Sequence, residues 1–380
     1  MIKYNNRNVS KKTRDKILYI MHVDWGWIKQ RPHFLAEGLE KYFNVLVLYR
    51  FNPNRKNMLS NSSAIKKLPL ITIPRRFGYL FEKIDNFIQK LWLLIIILCF
   101  KPDKIWLTFP IQYKYLPKIM LKKVQIIYDC MDDALEFYKD ERRRRNIESI
   151  EKDLIEDAKA VFCSSQHLSN VLINRYGETK KIIILRNGIN EQFLSKHSIV
   201  EETTNQPFFT KEEGFIDIVY IGTVAPWINF DLIDNCLDHF KNIKFHFIGP
   251  IDMKMDFRNK DRIIIHGAAE HEELRKNANL YDILIMPFIR NELIESVDPV
   301  KLYEYISFNK PIISIYYPEI ARFKPFVEFY ETEDQFIKII DKIINNRFKL
   351  KYDVKEGMRF LEENTWRMRV ECIKNYLNVI

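Results

Sequence analysis

Between positions 286 and 318 the chain reads MPFIRNELIESVDPVKLYEYISFNKPIISIYYP, and its polar residues have the types and spacing to hold an anion. Pro299 suits the first turn of a helix, where a missing N–H costs nothing. The amino end of such a helix offers unpaired N–H groups and a positive dipole potential, which together suit a diphosphate. Lys301 adds a mobile positive charge on the same turn. Glu304, one turn further in, carries a carboxylate suited to accept from both hydroxyls of a ribose. On spacing alone an ordinary solvated helix face is the commoner reading of these two residues, so the rest of the chain has to decide.

Three further clusters bear on the same chemistry. Residues 218–231, IVYIGTVAPWINFD, place Gly222 and Thr223 between a strand and a helix, where glycine lets backbone N–H groups approach a phosphate. That loop itself has no Arg or Lys. Residues 25–39, WGWIKQRPHFLAEGL, follow the first strand and put Trp25, Gly26 and Arg31 beside a helix start. Arg31 there either meets a departing diphosphate or simply caps and pairs on the domain surface. Residues 128–133, YDCMDD, gather Asp129, Asp132 and Asp133 at the end of a buried strand, a place for a general base on an acceptor hydroxyl or for acceptor binding. The Asp129-x-x-Asp132 spacing does not match a DxD metal site.

The elements that must position these clusters alternate in period. Short apolar runs at 16–22, 44–49, 64–73, 104–108, 125–128, 160–163 and 181–185 predict strands, with helical patterns at 30–42, 78–100, 147–158 and 166–176. A polar stretch at 195–213, containing EETTNQP, reads as a linker. The pattern then restarts with strands at 216–221, 244–248, 262–266, 283–287 and 311–315. Its helices lie at 230–240, 270–279 and 299–308, and a last one runs from about 355 to the end. Continuous apolar strands alternating with helices indicate parallel sheets covered on both faces. The class is therefore α/β, with two doubly wound, Rossmann-like domains, and ligands are expected at the strand carboxyl ends facing a central cleft.

Composition narrows the class of function. At 380 residues two domains are the natural prior, and 47% apolar residues supply both cores. Ten glycines count against Gly-rich phosphate loops, and no GxGxxG follows a strand, which excludes a dinucleotide-dependent dehydrogenase. The five cysteines are scattered, so neither a zinc site nor a disulfide framework is expected, and a reducing cytoplasm fits best. The polar, basic amino terminus has no apolar signal core. The apolar run at 91–100, LWLLIIILCF, is half the roughly 20 residues a spanning helix requires, so it reads as the end of a buried or membrane-touching helix. Residues 1–200 carry 36 Lys and Arg against 20 Asp and Glu, whereas residues 201–380 carry 24 against 30. The basic half either points to something anionic, a membrane surface foremost, or is an ordinary solvated basic face. Nucleic acid is not expected, because the basic residues are dispersed and no binding motif accompanies them.

The segment 299–311 resembles the donor-binding signature of GT-B glycosyltransferases similar to family 4, in particular the bacterial polysaccharide and teichuronic-acid-type members. The family run P-x-K-L-x-E-Y-(I/L)-(A/S)-x-x-K-P-(I/V) is matched by Pro299, Lys301, Leu302, Glu304, Tyr305, Ile306, Ser307, Lys310 and Pro311. The resemblance implies that Glu304 grips the donor ribose. Many relatives carry an Arg and a Lys in the loop that here holds Gly222 and Thr223, so their absence shifts the neutralising of the diphosphate to Lys301, with Arg290 as a lesser candidate. In the family's E-x7-E pattern the first glutamate contacts the transferred sugar, but here Ser296 stands in that register, so the resemblance gives the role to Ser296 and the backbone of Val297 and Asp298. Residues 25–36 resemble the group's W-x-x-x-x-Q-R-P-x-x-L-A segment, which lies over the donor phosphates or the acceptor. Arg186-Asn187-Gly188-Ile189 resembles the P-N-G-(V/I) turn that ends the first domain, while Gly249, His266 and Gly267 resemble the strand ends bordering the nucleotide base. The segment 362–366, EENTW, resembles the one that leads the last helix back to the first domain.

The resemblance implies an acceptor-binding domain at 1–200, a donor-binding domain at 201–360 and a returning helix at 361–380. It implies transfer of a sugar, without metal or cofactor, from a nucleotide-sugar, UDP-sugar foremost, to a lipid-linked glycan of a bacterial surface polysaccharide. The work would be done at the inner face of the plasma membrane. A nucleotide-sugar 2-epimerase on the same fold, or a non-catalytic subunit binding donor or lipid, are the alternatives.

Overall fold

The computed structural model describes residues 14–26, 29–51, 64–70, 79–121, 123–179, 181–194, 210–254, 256–269 and 271–379. Two compact units divide the chain: residues 1–163, 176–183 and 370–380 form one, residues 164–175 and 184–369 the other. The first half of the chain runs β1 (Lys16–Met21), α1 (Arg31–Glu40), β2 (Asn44–Arg50), β3 (Lys66–Leu70), α2 (Tyr79–Phe100), β4 (Lys104–Leu107), α3 (Lys118–Leu121), β5 (Gln125–Cys130), α4 (Glu141–Asp157), β6 (Ala160–Cys163), α5 (Gln166–Tyr176) and β7 (Ile182–Ile184). The second half runs β8 (Ile216–Ile221), α6 (Phe230–His239), β9 (Ile243–Ile248), β10 (Ile263–Gly267), α7 (His271–Lys276), β11 (Ile283–Met286), α8 (Glu292–Glu295), α9 (Val300–Ser307), β12 (Ile312–Ile315), β13 (Glu328–Tyr330), α10 (Glu333–Asn345), α11 (Val354–Glu363) and α12 (Trp366–Leu377).

The first unit is built on a seven-stranded sheet in the order β3-β2-β1-β4-β5-β6-β7. Its registers are parallel, with Ile17 facing Val45 on one side and Lys104 on the other. The strands β4 and β6 are buried at every position, as strands covered by helices on both faces must be. Tyr19, Trp106 and Phe162 stack in a row across the sheet, with ring centroids 5.6 and 5.4 Å apart. The strand order reverses between β1 and β4, so the crevice for a ligand in this unit lies past Met21 and Leu107.

The second unit holds a six-stranded parallel sheet, β10-β9-β8-β11-β12-β13, whose order reverses between β8 and β11. The last strand, β13, is absent from the sequence reading, because three residues show too little of any period. Other boundaries also move. Helix α4 starts at Glu141, not 147, because Asp140 caps it and the run Arg142–Arg145 consists of good helix formers. The expected carboxyl-terminal helix is two helices, α11 and α12, broken at Asn364, where Ile189 and Thr365 form a β-bridge. Strand β3 covers 66–70 of the expected 64–73, and positions 71–73 lie outside the described residues, as do 195–209 of the expected linker. Among the described residues no helix is long and apolar enough to cross a membrane.

Candidate functional site

In the second unit, helix α9 is fixed by what it buries. Leu302, Tyr303, Tyr305 and Ile306 face the core, which leaves Lys301 and Glu304, three apart, together on its half-buried side. The buried Tyr305 hydroxyl donates to the Ile285 carbonyl at 3.1 Å and accepts from the Ile221 N–H at 2.8 Å, pinning the helix to the ends of β8 and β11. These are the two strands at which the sheet order reverses. At the amino end, the buried Asp298 carboxylate accepts from the Asn187 N–H at 2.7 Å and pairs with Arg322. The Asp298 carbonyl accepts from Asn187 Nδ2 at 2.7 Å.

Lys301 crosses the end of β8 so closely that a Cβ on Gly222 would stand 1.9 Å from its Cε and 2.8 Å from its Nζ. Burial pulls its ammonium below the usual lysine range, against the opposing pull of Glu304. Neither the Lys301 ammonium nor the Glu304 carboxylate forms a hydrogen bond or ion pair with a described residue. A desolvated cation without a partner is costly, and a bound anion relieves that cost. Next to it the backbone is tight as well: a Cβ on Gly249 would lie 2.0 Å from the Gly222 carbonyl oxygen. The Gly222 and Val224 N–H groups donate to the Ile248 and Pro250 carbonyls, while Thr223 N–H donates to no described residue. Thr223 instead offers its carbonyl to the Tyr220 hydroxyl at 3.0 Å.

At the far side of these strands Gly249 N–H donates to the Gly267 carbonyl at 2.6 Å. His266 sits at the irregularity that ends β10. A chain of buried contacts leads to it: Asp217 Oδ1 lies 2.9 Å from His246 Nε2, and His246 Nδ1 lies 2.9 Å from His266 Nε2. The sequence reading missed this relay because its members are 20 and 29 residues apart and no motif joins them.

The remaining donor-side candidates are occupied within the protein. Ser296 is buried, with Oγ donating to the Leu293 carbonyl at 2.7 Å. Val297 accepts through its carbonyl from the Tyr317 hydroxyl at 3.2 Å. Arg290 is exposed and paired with Glu295 at 2.6 Å.

In the first unit the expected residues separate by environment. Arg31 and Asp129 are both buried and pair through Nε and Nη2 at 2.9 and 2.7 Å, an internal pair where the sequence offered one on the domain surface. Asp133 caps a 3₁₀ turn by accepting from the Leu135 N–H at 3.0 Å. Asp132 is half-buried, and burial first, with Asp129 and Asp133 adding, raises its carboxyl to about 6 despite Arg31. Among described residues its carboxylate has no hydrogen-bond donor. Trp25 is buried against the His33 ring at 5.2 Å and under Lys67, and the Gly26 N–H donates to Asp24 at 2.8 Å. His22, which no sequence motif singles out, follows β1 directly, with Nδ1 2.8 Å from Thr108 Oγ1. Burial, then Arg50, lowers its imidazole to about 4, against the Thr108 hydrogen bond. It is therefore neutral at physiological pH. Among the described residues no group of three His, Cys, Asp or Glu side chains is placed to hold a metal ion.

No protein-family model matches the chain. It is 25% identical over 256 residues to TuaH of Bacillus subtilis (strain 168), a protein named provisionally as a teichuronic acid biosynthesis glycosyltransferase. The match spans 63% of this chain and 63% of that protein, so the chain covers less than two thirds of the relative's length. Among solved structures, sucrose-phosphate synthase from Thermosynechococcus elongatus superposes with a TM-score of 0.75 at 12% identity, covering 96% of this chain and 98% of that one. Alr3699/HepE of Anabaena, crystallised with UDP, gives 0.72 at 11% identity, covering 96% and 100%. The chain thus has the GT-B fold, and over the segment shared with TuaH its sequence is similar to that of a glycosyltransferase named for teichuronic acid biosynthesis.

Proposed function

We propose that this chain is a glycosyltransferase that binds a nucleoside-diphosphate sugar in its second unit and transfers the sugar to a lipid-linked glycan of a bacterial surface polysaccharide. The observation that carries the reading is Lys301: a desolvated ammonium without a partner among described residues, laid across Gly222 at the carboxyl end of β8. In this reading the diphosphate lies over Lys301, the Thr223 N–H and the start of α9, where the helix dipole and the ammonium stabilise charge as the diphosphate departs. Glu304 accepts from the ribose hydroxyls, and the base rests against Gly249, His266 and Gly267. UDP is the proposed nucleotide, supported by the UDP and UDP-glucose complexes of Alr3699/HepE.

Transfer forms a bond between the acceptor oxygen and the anomeric carbon and breaks the bond from that carbon to the diphosphate. The bonding electrons leave with the diphosphate, and Asp132 is proposed to take the proton of the acceptor hydroxyl as the new bond forms, since Asp129 and Asp133 are engaged by Arg31 and Leu135. The reaction is proposed to need no metal, with Lys301 supplying the positive charge. Thermal unfolding with UDP-, GDP-, ADP- and CMP-sugars tests the donor site, because a ligand of the folded state alone raises its apparent stability. A UDP-sugar should raise Tm with chelator present, and transfer to a lipid-linked acceptor should release UDP. No shift with any nucleotide-sugar refutes the reading, and release of UDP with an epimerised sugar and no glycosylated acceptor favours the epimerase.

A further inference from the structure

Helix α2 presents to solvent a row of side chains that soluble proteins ordinarily bury. Ile84, Phe87, Leu91, Ile95 and Leu98 are exposed at 41, 67, 46, 44 and 52%. Their spacing of three, four, four and three residues puts them on one face of the helix, while Leu93, Ile96 and Ile97 on the opposite side enter the core. Single exposed apolar residues are ordinary, but a continuous stripe over four turns marks a contact surface. Ile119, 82% exposed, adds another apolar tip beside Lys118.

Two observations say what covers this face. The first is charge. A cavity of about 530 Å³ adjoins the stripe, with Phe87, Leu91 and Leu116 in its walls together with Lys90, Lys114 and Lys118. Asp153 is the one acid among its described walls. Apolar side chains projecting beside a set of lysines match a bilayer with anionic headgroups, into which the former insert and to which the latter are drawn. The second is continuity. Ile150, also in the cavity wall, packs with Ile111 and Phe109 on one small cluster. Phe109 in turn contacts Phe137, 57% exposed, and the ring of His22 at 5.2 Å. Apolar contacts thus link the cavity wall at Ile150 to Phe109 and His22, near the carboxyl end of β1, where the acceptor is proposed to bind.

We infer that the outer face of α2, with Lys90, Lys114 and Lys118, is the surface by which this protein docks on an anionic lipid bilayer. Insertion is interfacial and parallel to the membrane plane, since α2 keeps its other face in the core of the first unit. The inference deepens the acceptor part of the proposed function: docking brings lipid-borne glycan to the His22 and Asp132 end of the sheet.

Sedimentation of the full chain with vesicles tests it. The protein should bind vesicles of phosphatidylcholine mixed with phosphatidylglycerol, more weakly as salt is added, and bind pure phosphatidylcholine poorly. The double variant Phe87→Ser/Leu91→Ser, at exposed positions that leave the core intact, should bind at least about tenfold more weakly while keeping its stabilisation by UDP. Equal binding by variant and parent overturns the inference, as does a parent that ignores both kinds of vesicle. It is also overturned by a dimer, seen by light scattering without lipid, that the double variant dissociates. Stabilisation by UDP is read separately, so failure of the donor site and failure of the membrane face are distinguishable.

Discussion

Replacing Gly222 by alanine puts one methyl group where Lys301 now lies, and the consequence follows from what that methyl meets. Its nearest neighbours are Lys301 Cε at 1.9 Å and Nζ at 2.8 Å, the far end of a flexible side chain, with the buried Tyr220 hydroxyl at 2.9 Å. The lysine therefore gives way and the strand does not. The fold loses roughly 1–3 kcal/mol for an L side chain held at φ 148°, which lowers Tm by a few degrees in a unit of this size. Donor binding loses the contact between ammonium and diphosphate, worth about 1.5–3 kcal/mol for a charged hydrogen bond, or roughly 10- to 150-fold in Kd. Calorimetric titration with UDP reads the affinity, and thermal unfolding reads the stability. Lys301→Met should lose the same affinity with unchanged or higher Tm, because it removes a desolvated charge. The double variant should lose little more than either single one, since both delete one interaction. Gly249→Ala differs in kind: its methyl meets the Gly222 backbone carbonyl at 2.0 Å, which has no rotamer to escape into, so roughly 3–5 kcal/mol of stability is lost. Full UDP affinity in Gly222→Ala, or fully additive losses in the double variant, would refute the placement of Lys301 against the phosphates.

Two further outcomes follow from the first unit. Arg31→Ala or Asp129→Ala leaves an uncompensated buried charge and should cost about 3–5 kcal/mol, seen as a lowered denaturation midpoint in urea. Replacing both by apolar residues of similar volume should recover most of that loss. For Asp132 the sign is opposite to that of a salt-bridged acid. Its carboxyl sits at about 6, so the folded state holds the proton that the unfolded chain releases near 4, and stability from this group falls as pH rises between the two and then levels. Asp132→Asn should raise Tm at pH 7.5 but not at pH values below 4, and it should remove a rise in kcat/KM with apparent pKa near 6. A lowered Tm at pH 7.5 or a retained acidic limb would contradict the assignment.

Much of the fold is legible in the sequence because the strands are long, apolar and separated by helical periods; runs such as ILYI, IVYI and ILIM leave little choice. What escapes is local. A three-residue strand at Glu328–Tyr330 carries no period, and the run Arg142–Arg145 hides a helix start because charge alone has none. The candidate donor site was legible in part. Lys301 and Glu304 stand out by spacing, but that Tyr305 holds their helix, and that Asp298 ties its start to Asn187 and Arg322, depends on pairs 20 to 111 residues apart. The cluster Asp129, Asp132, Asp133 shows why composition cannot rank acids. Within five positions of one another, they meet an arginine, no donor among the described residues, and a backbone N–H, and only these surroundings separate them.

The account stands or falls on the carboxylate of Glu304, which the structure holds beside Lys301 without a partner among the described residues. Titration calorimetry of UDP with the parent protein and with Glu304→Ala measures this directly. A carboxylate bonded to two ribose hydroxyls contributes about 2–4 kcal/mol, so the variant should bind roughly 30- to 1,000-fold more weakly at unchanged Tm. Equal affinity in the two proteins would contradict the account.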